Sequence, residues 1–159
     1  MRTCLAALTL MLWLLAPAVE AADDRVLLEP ISTASVAVVG VLALGDHSIE
    51  IADGTRVELE TVPTDAGGDF ALRLFRLREP RPLAPMRPNT ICGQGQAVTF
   101  IAVVYPADVL DLPAWQRDEY RLAFYAGDTP PAIAGLRRDL SGDGLCMWGA
   151  WTEASVPGR

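Results

Sequence analysis

The chain has 159 residues, a formal net charge of −7, 51% apolar and 21% charged residues. With a pI near 4.6 it lacks the cationic surface on which nucleic-acid and anionic-membrane binding rest. Twelve prolines and thirteen glycines, spread without repeat or low-complexity tract, imply many turns and point to an all-β domain.

Met1-Arg2-Thr3 carries one positive charge, and an apolar run follows from Cys4 to Ala16. A short basic start, an apolar middle and small residues beyond it form a secretory signal peptide, residues 1–21. Val19-Glu20-Ala21 places cleavage after Ala21, with Ala18 and Ala22 as neighbouring alternatives. The run falls short of the roughly 20 apolar residues of a membrane span, and Pro17 breaks it. No cysteine follows the cleavage region, so a lipid anchor is not expected. Residues 22–159 then form one exported domain, periplasmic or secreted, with no stable membrane anchor after cleavage. About 138 residues bury a core of ordinary size without a metal.

In chain order, Val26-Leu27-Leu28 reads as a short edge strand ended by Pro30, which cannot donate to a ladder. Val36 to Leu44 is apolar and rich in β-branched residues, as in a strand buried on both faces. After a turn at Gly45-Asp46, Ile49 and Ile51 alternate with Ser48 and Glu50. Asp53-Gly54 is a type I′ hairpin signal, and Val57 and Leu59 alternate with Arg56, Glu58 and Glu60 on the return. These stretches predict a three-strand meander from Val36 to Val62. Pro63 to Gly68 is a loop. Asp69 to Arg78 is a strand whose apolar face switches between Leu74 and Phe75, which a bulge near Leu74 would reconcile.

Four prolines from Pro80 to Pro88 predict an extended surface segment. Gly95 to Tyr105 is apolar on both faces and therefore central. Pro106 to Gln116 is a loop with room for a helical turn at Leu112 to Trp115. Tyr120, Leu122 and Phe124 define a strand with one inner face. Ala132 to Leu140 can form a short helical turn, and Leu145 to Thr152 is the final strand, followed by a tail. About seven strands at this spacing predict a small antiparallel barrel or sandwich.

Cys92 and Cys146 are the only cysteines after cleavage. An even pair in an exported chain reads as one structural disulfide, tying the middle of the domain to its last strand. Closing that loop stabilises by roughly 4 kcal/mol on chain-entropy grounds. Redox or metal chemistry would want a CxxC, a nearby charge or further ligands, and none is in the sequence.

Arg73, Arg76, Arg78, Arg81 and Arg87 crowd one stretch of an acidic protein. They are candidates for gripping an anionic ligand or an acidic envelope protein through bidentate contacts. The plainer reading is a solvated strand paired with its own carboxylates. On the last strand, alternation places Cys146 and Trp148 on one face and Met147 and Trp151 on the other. One Trp then packs over the disulfide, and Trp151 faces outward as a contact residue.

His47 is the sole histidine, and adjacent Ser48 cannot share its side of a strand. No HExxH, P-loop or GxGxxG occurs, and no acidic residue sits in the apolar context that raises a carboxyl pKa. Catalysis through His47 or a carboxylate pair is the alternative to a non-catalytic binding protein of the envelope, which is the reading adopted. No cofactor is expected.

Asp139-Leu140-Ser141-Gly142-Asp143-Gly144 resembles the first half of an EF-hand loop, with oxygen ligands at positions one, three and five and Gly at six. Position twelve, where a bidentate carboxylate belongs, is Ala150. The C-terminal part, with Cys92, Ser141-Gly142 and Trp148, resembles the small exported β-barrel inhibitors of C-type lysozyme. The likeness covers less than half the chain and rests on scattered residues. Asp143 and Leu145 stand where the family's Ser-Gly-Ala-x-Tyr core has Ala and Tyr. The resemblance implies inhibition of a hydrolase as a further expectation.

Overall fold

The structure is a computed structural model that describes residues 25–64, 72–86, 88–93, 95–105 and 119–154. The expected signal peptide, Phe70, Arg87, the loop at 106–116 and the end of the tail lie outside the described residues.

Alternating apolar residues give eight strands, one more than the sequence count. They are β1 (Val26–Pro30), β2 (Leu42–Leu44), β3 (Ser48–Ile51), β4 (Arg56–Val62), β5 (Leu72–Arg81), β6 (Val98–Val104), β7 (Tyr120–Tyr125) and β8 (Leu145–Glu153). Each pairs antiparallel with its successor, and β8 returns to β1, closing a barrel in simple chain order. Closure changes the place of the first strand. The expected edge strand pairs Val26, Leu27 and Leu28 with β2, and Leu28 to Pro30 with β8. A closed barrel leaves no free edge for strand addition.

An eight-strand barrel is just wide enough for side chains to fill. Leu28, Ile49, Val57, Leu59, Phe75, Leu77, Ile101, Leu122, Phe124 and Trp151 form one buried interior cluster. Trp151 is wholly buried, and its indole Nε1 donates to Gly40 O at 3.0 Å. Gly149, two residues earlier, leaves the space this ring needs: an added Cβ would lie 2.9 Å from Ser35 Cβ and 3.0 Å from Trp151 Cη2.

Three local readings are corrected. Val36 to Leu44 is not one strand, because Ser35–Val39 form a single π-helical turn before β2. Serines hold this turn against β8: Ser35 Oγ donates to Ala150 O at 2.9 Å, and Ala150 N–H donates to Ser32 Oγ at 3.2 Å. Val39 is thereby driven into the core. The Asp53-Gly54 hairpin is not type I′, since Gly54 has φ of 79° and Asp53 has no positive φ. Gly54 N donates to Ile51 O and Ile51 N to Thr55 O, a three-residue hairpin with its αL position at the glycine. Finally, β5 runs in unbroken register with β6 from Leu72 to Arg76, so no bulge stands at Leu74. The register shifts further on, between Arg76 and Arg81.

The face switch at Leu74 has another cause: β5 is buried on both sides. Phe75 and Leu77 point into the barrel, whereas Leu72 and Leu74 join an outer cluster with Phe100, Ala102, Tyr125, Leu136 and Leu140. The cover is α1 (Ile133–Asp139), in the stretch where the sequence allows a helical turn. Tyr125 OH donates to Leu140 O beneath it, and Leu140 ends the helix in the left-handed region at φ 58°. Among the described residues, no helix covers the outer faces of β1, β2 and β3.

The prolines of the 80–88 segment do not confine it to the surface. Leu83 is 2% exposed, and it packs with Ile91 and Cys92 into the interior cluster. The connections at 31–41 and 82–97 thus plug one end of the barrel. At the opposite end the described residues include the short β2–β3 turn and the aromatic pair Tyr105 and Tyr120.

Candidate binding surface

Cys92 and Cys146 are joined, with Cα atoms 4.6 Å apart. Strict alternation would aim Cys146 to the same side as Trp148, and it does not. Tyr125 pairs with Leu145 and Phe124 with Met147, so Cys146 is an extra residue in β8. Such a bulge re-aims a side chain. Cys146 and Met147 both pack against the interior cluster, where Cys92 lies. The disulfide therefore fixes the plug at 82–97 to the start of β8.

The two tryptophans exchange their expected places. Trp151 is buried and is not a contact residue, while Trp148 is 48% exposed. The bulge lets Cys146 point inward without turning Trp148 inward, and Trp151 points inward because it stands opposite Tyr120 and Pro30 on the interior register.

The arginines do not converge. Arg73 to Arg81 span almost the whole of β5, roughly 25 Å at strand rise. Arg73 sits at the aromatic end, ion-paired with Asp46 at 3.0 Å and stacked 5.3 Å from the Tyr105 ring centroid. Arg76 lies over Phe100 at 5.7 Å and opposite Glu60 on β4. Arg78 is exposed. Arg81, at the plugged end, donates from Nη2 to Arg56 O at 2.7 Å. This bond stitches β5 to β4 where register pairs with β4 have ceased beyond Leu77. Four separate settings replace the single anion cradle that the sequence suggested.

At the aromatic end, Tyr105 and Tyr120 meet edge-to-face with centroids 5.7 Å apart, and Tyr120 OH donates to Glu153 Oε1 at 2.6 Å. Burial raises the pKa of both hydroxyls, with Glu153 adding to the shift of Tyr120 and Arg73 opposing that of Tyr105. Both are neutral donors at physiological pH. His47 is exposed at the tip of the neighbouring turn, whereas Ser48 is buried, so the structure does not bring them together as a nucleophile and base. Asp139 Oδ1 accepts from Ser141 N at 3.1 Å, a local turn bond. Among the described residues no group of three His, Cys, Asp or Glu could hold a metal ion.

What the sequence reading missed is an apolar outer surface. Leu27, Ile31, Val36, Val41, Met86, Leu145 and Trp148 are the large apolar residues exposed among those described. Leu27, Val41 and Met86 line an open groove of about 560 Å³ with Pro30, Ala43 and Ala52. Ile31 continues this outer face toward β8, its N–H donating to Ala150 O at 3.0 Å. The groove lies on the strands that α1 leaves uncovered. A sequence signal existed: outward positions of a half-exposed strand should be polar, yet Leu27, Ala43 and Trp148 are not.

Compared with known proteins, the chain matches no family model, no curated protein and no solved structure.

Proposed function

We propose that this chain is an exported, non-catalytic interaction protein of the cell envelope, and that it meets a protein partner through the outer face carrying Trp148. One observation supports this most: Trp148 stands half-exposed on β8, and Ile31, Val36 and Leu145 are exposed as well. Exposed apolar patches of this kind mark interaction sites, and tryptophan is the residue most enriched among energetic hot spots. The disulfide holds the start of that strand, so the surface is offered in a fixed shape and needs little ordering on binding.

The test is capture from envelope extract with the mature, oxidised protein, comparing wild type with Trp148→Ala. The reading expects a partner retained by wild type and lost from a variant that still folds. Retention unchanged by Trp148→Ala counts against it.

Inhibition of a hydrolase is a second reading, supported by the barrel closure and by the place of Ser141-Gly142 in the turn leading into β8. Residual activity of added C-type lysozyme separates it from the first: a stoichiometric loss of activity favours inhibition. Hydrolysis of a chromogenic substrate abolished by His47→Ala would instead return the chain to the enzymes.

A further inference from the structure

The open groove on the outer face of β1 to β3 offers a second site, apart from Trp148. Register pairs between β1 and β2 stop at Leu28 with Leu42, and β1 then runs on through Glu29 and Pro30 against β8. The two strands fork there, and Pro30, Gly40 and Val41 border the groove beyond the last pair. Its volume of about 560 Å³ lies in the ~300–1,000 Å³ range of ligand sites. Leu27, Val41 and Met86 stand beside it as exposed apolar side chains, and Ala43 and Ala52 are too short to fill it. Met86 Sδ lies 3.6 Å from where a Cβ on Gly40 would stand, and a methionine adapts to irregular partners. The groove is open to water, so an occupant needs an apolar side turned in and a polar side turned out.

Charge selects the sign of that polar side. Residues 25–64 hold Glu29, Asp46, Glu50, Asp53, Glu58 and Glu60 against Arg25 and Arg56, a formal net charge of −4. Arg25 meets Glu50 at 2.7 Å, Arg56 meets Glu58 at 3.2 Å, and Asp46 turns to Arg73 at the far rim. The excess of carboxylate stays beside the groove: Glu50 is in its lining, Glu29 precedes Pro30, and Asp53 stands between Ala52 and Gly54. Residues 72–86, by contrast, hold four arginines and one glutamate. A cationic partner is thus drawn to β1–β3 and turned away from β5. Apolar contact supplies most of the affinity, because exposed charges are screened in water.

We propose that the groove docks a short basic peptide segment of a partner protein. The segment's apolar side chains sit between Leu27 and Met86, and its lysines or arginines face Glu29, Glu50 and Asp53. This site does not depend on Trp148.

The experiment titrates the isotope-labelled, oxidised mature protein and follows the methyl resonances of Ala43, Ala52 and Met86. The probes are the blocked peptides Lys-Leu-Lys-Leu-Lys, Glu-Leu-Glu-Leu-Glu and Lys-Ser-Lys-Ser-Lys, and dodecyltrimethylammonium below its micelle concentration. The basic apolar peptide should shift all three methyls saturably, and the other two peptides should bind at least about tenfold more weakly. Glu50→Gln should weaken the basic peptide by about two- to fivefold, and salt near about 0.5 M should weaken it further. Ala43→Leu fills the groove and should abolish the shifts at Ala52 and Met86; should that variant fail to fold, the wild-type titration still decides. Groove methyls unmoved by the basic apolar peptide, or moved equally by the acidic one, overturn the proposal. Shifts confined to the Trp148 indole, or groove shifts from the amphiphile alone, overturn it as well, the latter by assigning the groove to single-chain cationic lipids.

Discussion

Among the described residues, the two ends of this barrel are held by different kinds of contact. At one end long connections fold inward: Val39, Leu83, Ile91 and Cys92 come from outside the strands and complete the core. A disulfide and the Ser32–Ser35–Ala150 bonds hold them there. At the other end the described side chains interact across the rim by polar and aromatic contacts: Asp46 with Arg73, Arg73 with Tyr105, Tyr105 with Tyr120, Tyr120 with Glu153. Burial stabilises the first end and makes it sensitive to single changes. The contacts described at the second are individually weak in water. The apolar residues left exposed gather around the first end and the strands beside it, which is why binding is assigned there.

Breaking the plugged end should cost most. Trp151→Ala removes the largest fully buried side chain among the described residues and its bond to Gly40 O. It should lower stability by about 3–5 kcal/mol, read from chemical denaturation. Removing the disulfide by Cys92→Ser with Cys146→Ser should lower it by about 2–4 kcal/mol. Hydrogen exchange in that variant should rise first in residues 82–93 and least around Tyr105 and Tyr120. Uniform loss of protection would show that the two ends are not separable.

The aromatic end should respond to alkaline pH. Its tyrosines hold their protons above the usual range because burial disfavours the phenolate, whereas the unfolded chain releases them from about pH 10. The folded state then binds more protons, so stability is intact below that pH and falls above it. Tyr120→Phe should flatten this fall, measured as denaturation midpoints across alkaline pH. The smallest effect belongs to Arg73→Ala, which breaks an exposed ion pair and should cost no more than about 1 kcal/mol. A larger loss would mean that the rim carries more of the fold than its exposure implies.

Strands β3, β4, β6, β7 and β8 were legible because period-two alternation or an unbroken apolar run has few other meanings over their lengths. Cys92–Cys146 was legible from parity and from the compartment the sequence leads one to expect. Val36 to Leu44 was not, since apolar β-branched residues fill a plug as readily as a strand. The clue was local: Ser32 and Ser35 offer side-chain bonds that compete with a ladder, and Gly40 interrupts the run at φ 76°. Leu83 and Ile91 were hidden among prolines, which weaken helix and ladder but not burial. For the candidate site, the arginine cluster was visible as composition, yet only the register shows that its members face different partners. Trp148 and Trp151 were exchanged by one extra residue in β8, a displacement that periodicity cannot reveal.

The contrast between the ends is tested most directly by a photo-crosslinking residue placed at Trp148, and separately at His47 on the opposite rim, in the cells that make the protein. We expect a discrete protein adduct from position 148 and none from position 47. An adduct from position 47 alone would contradict the account.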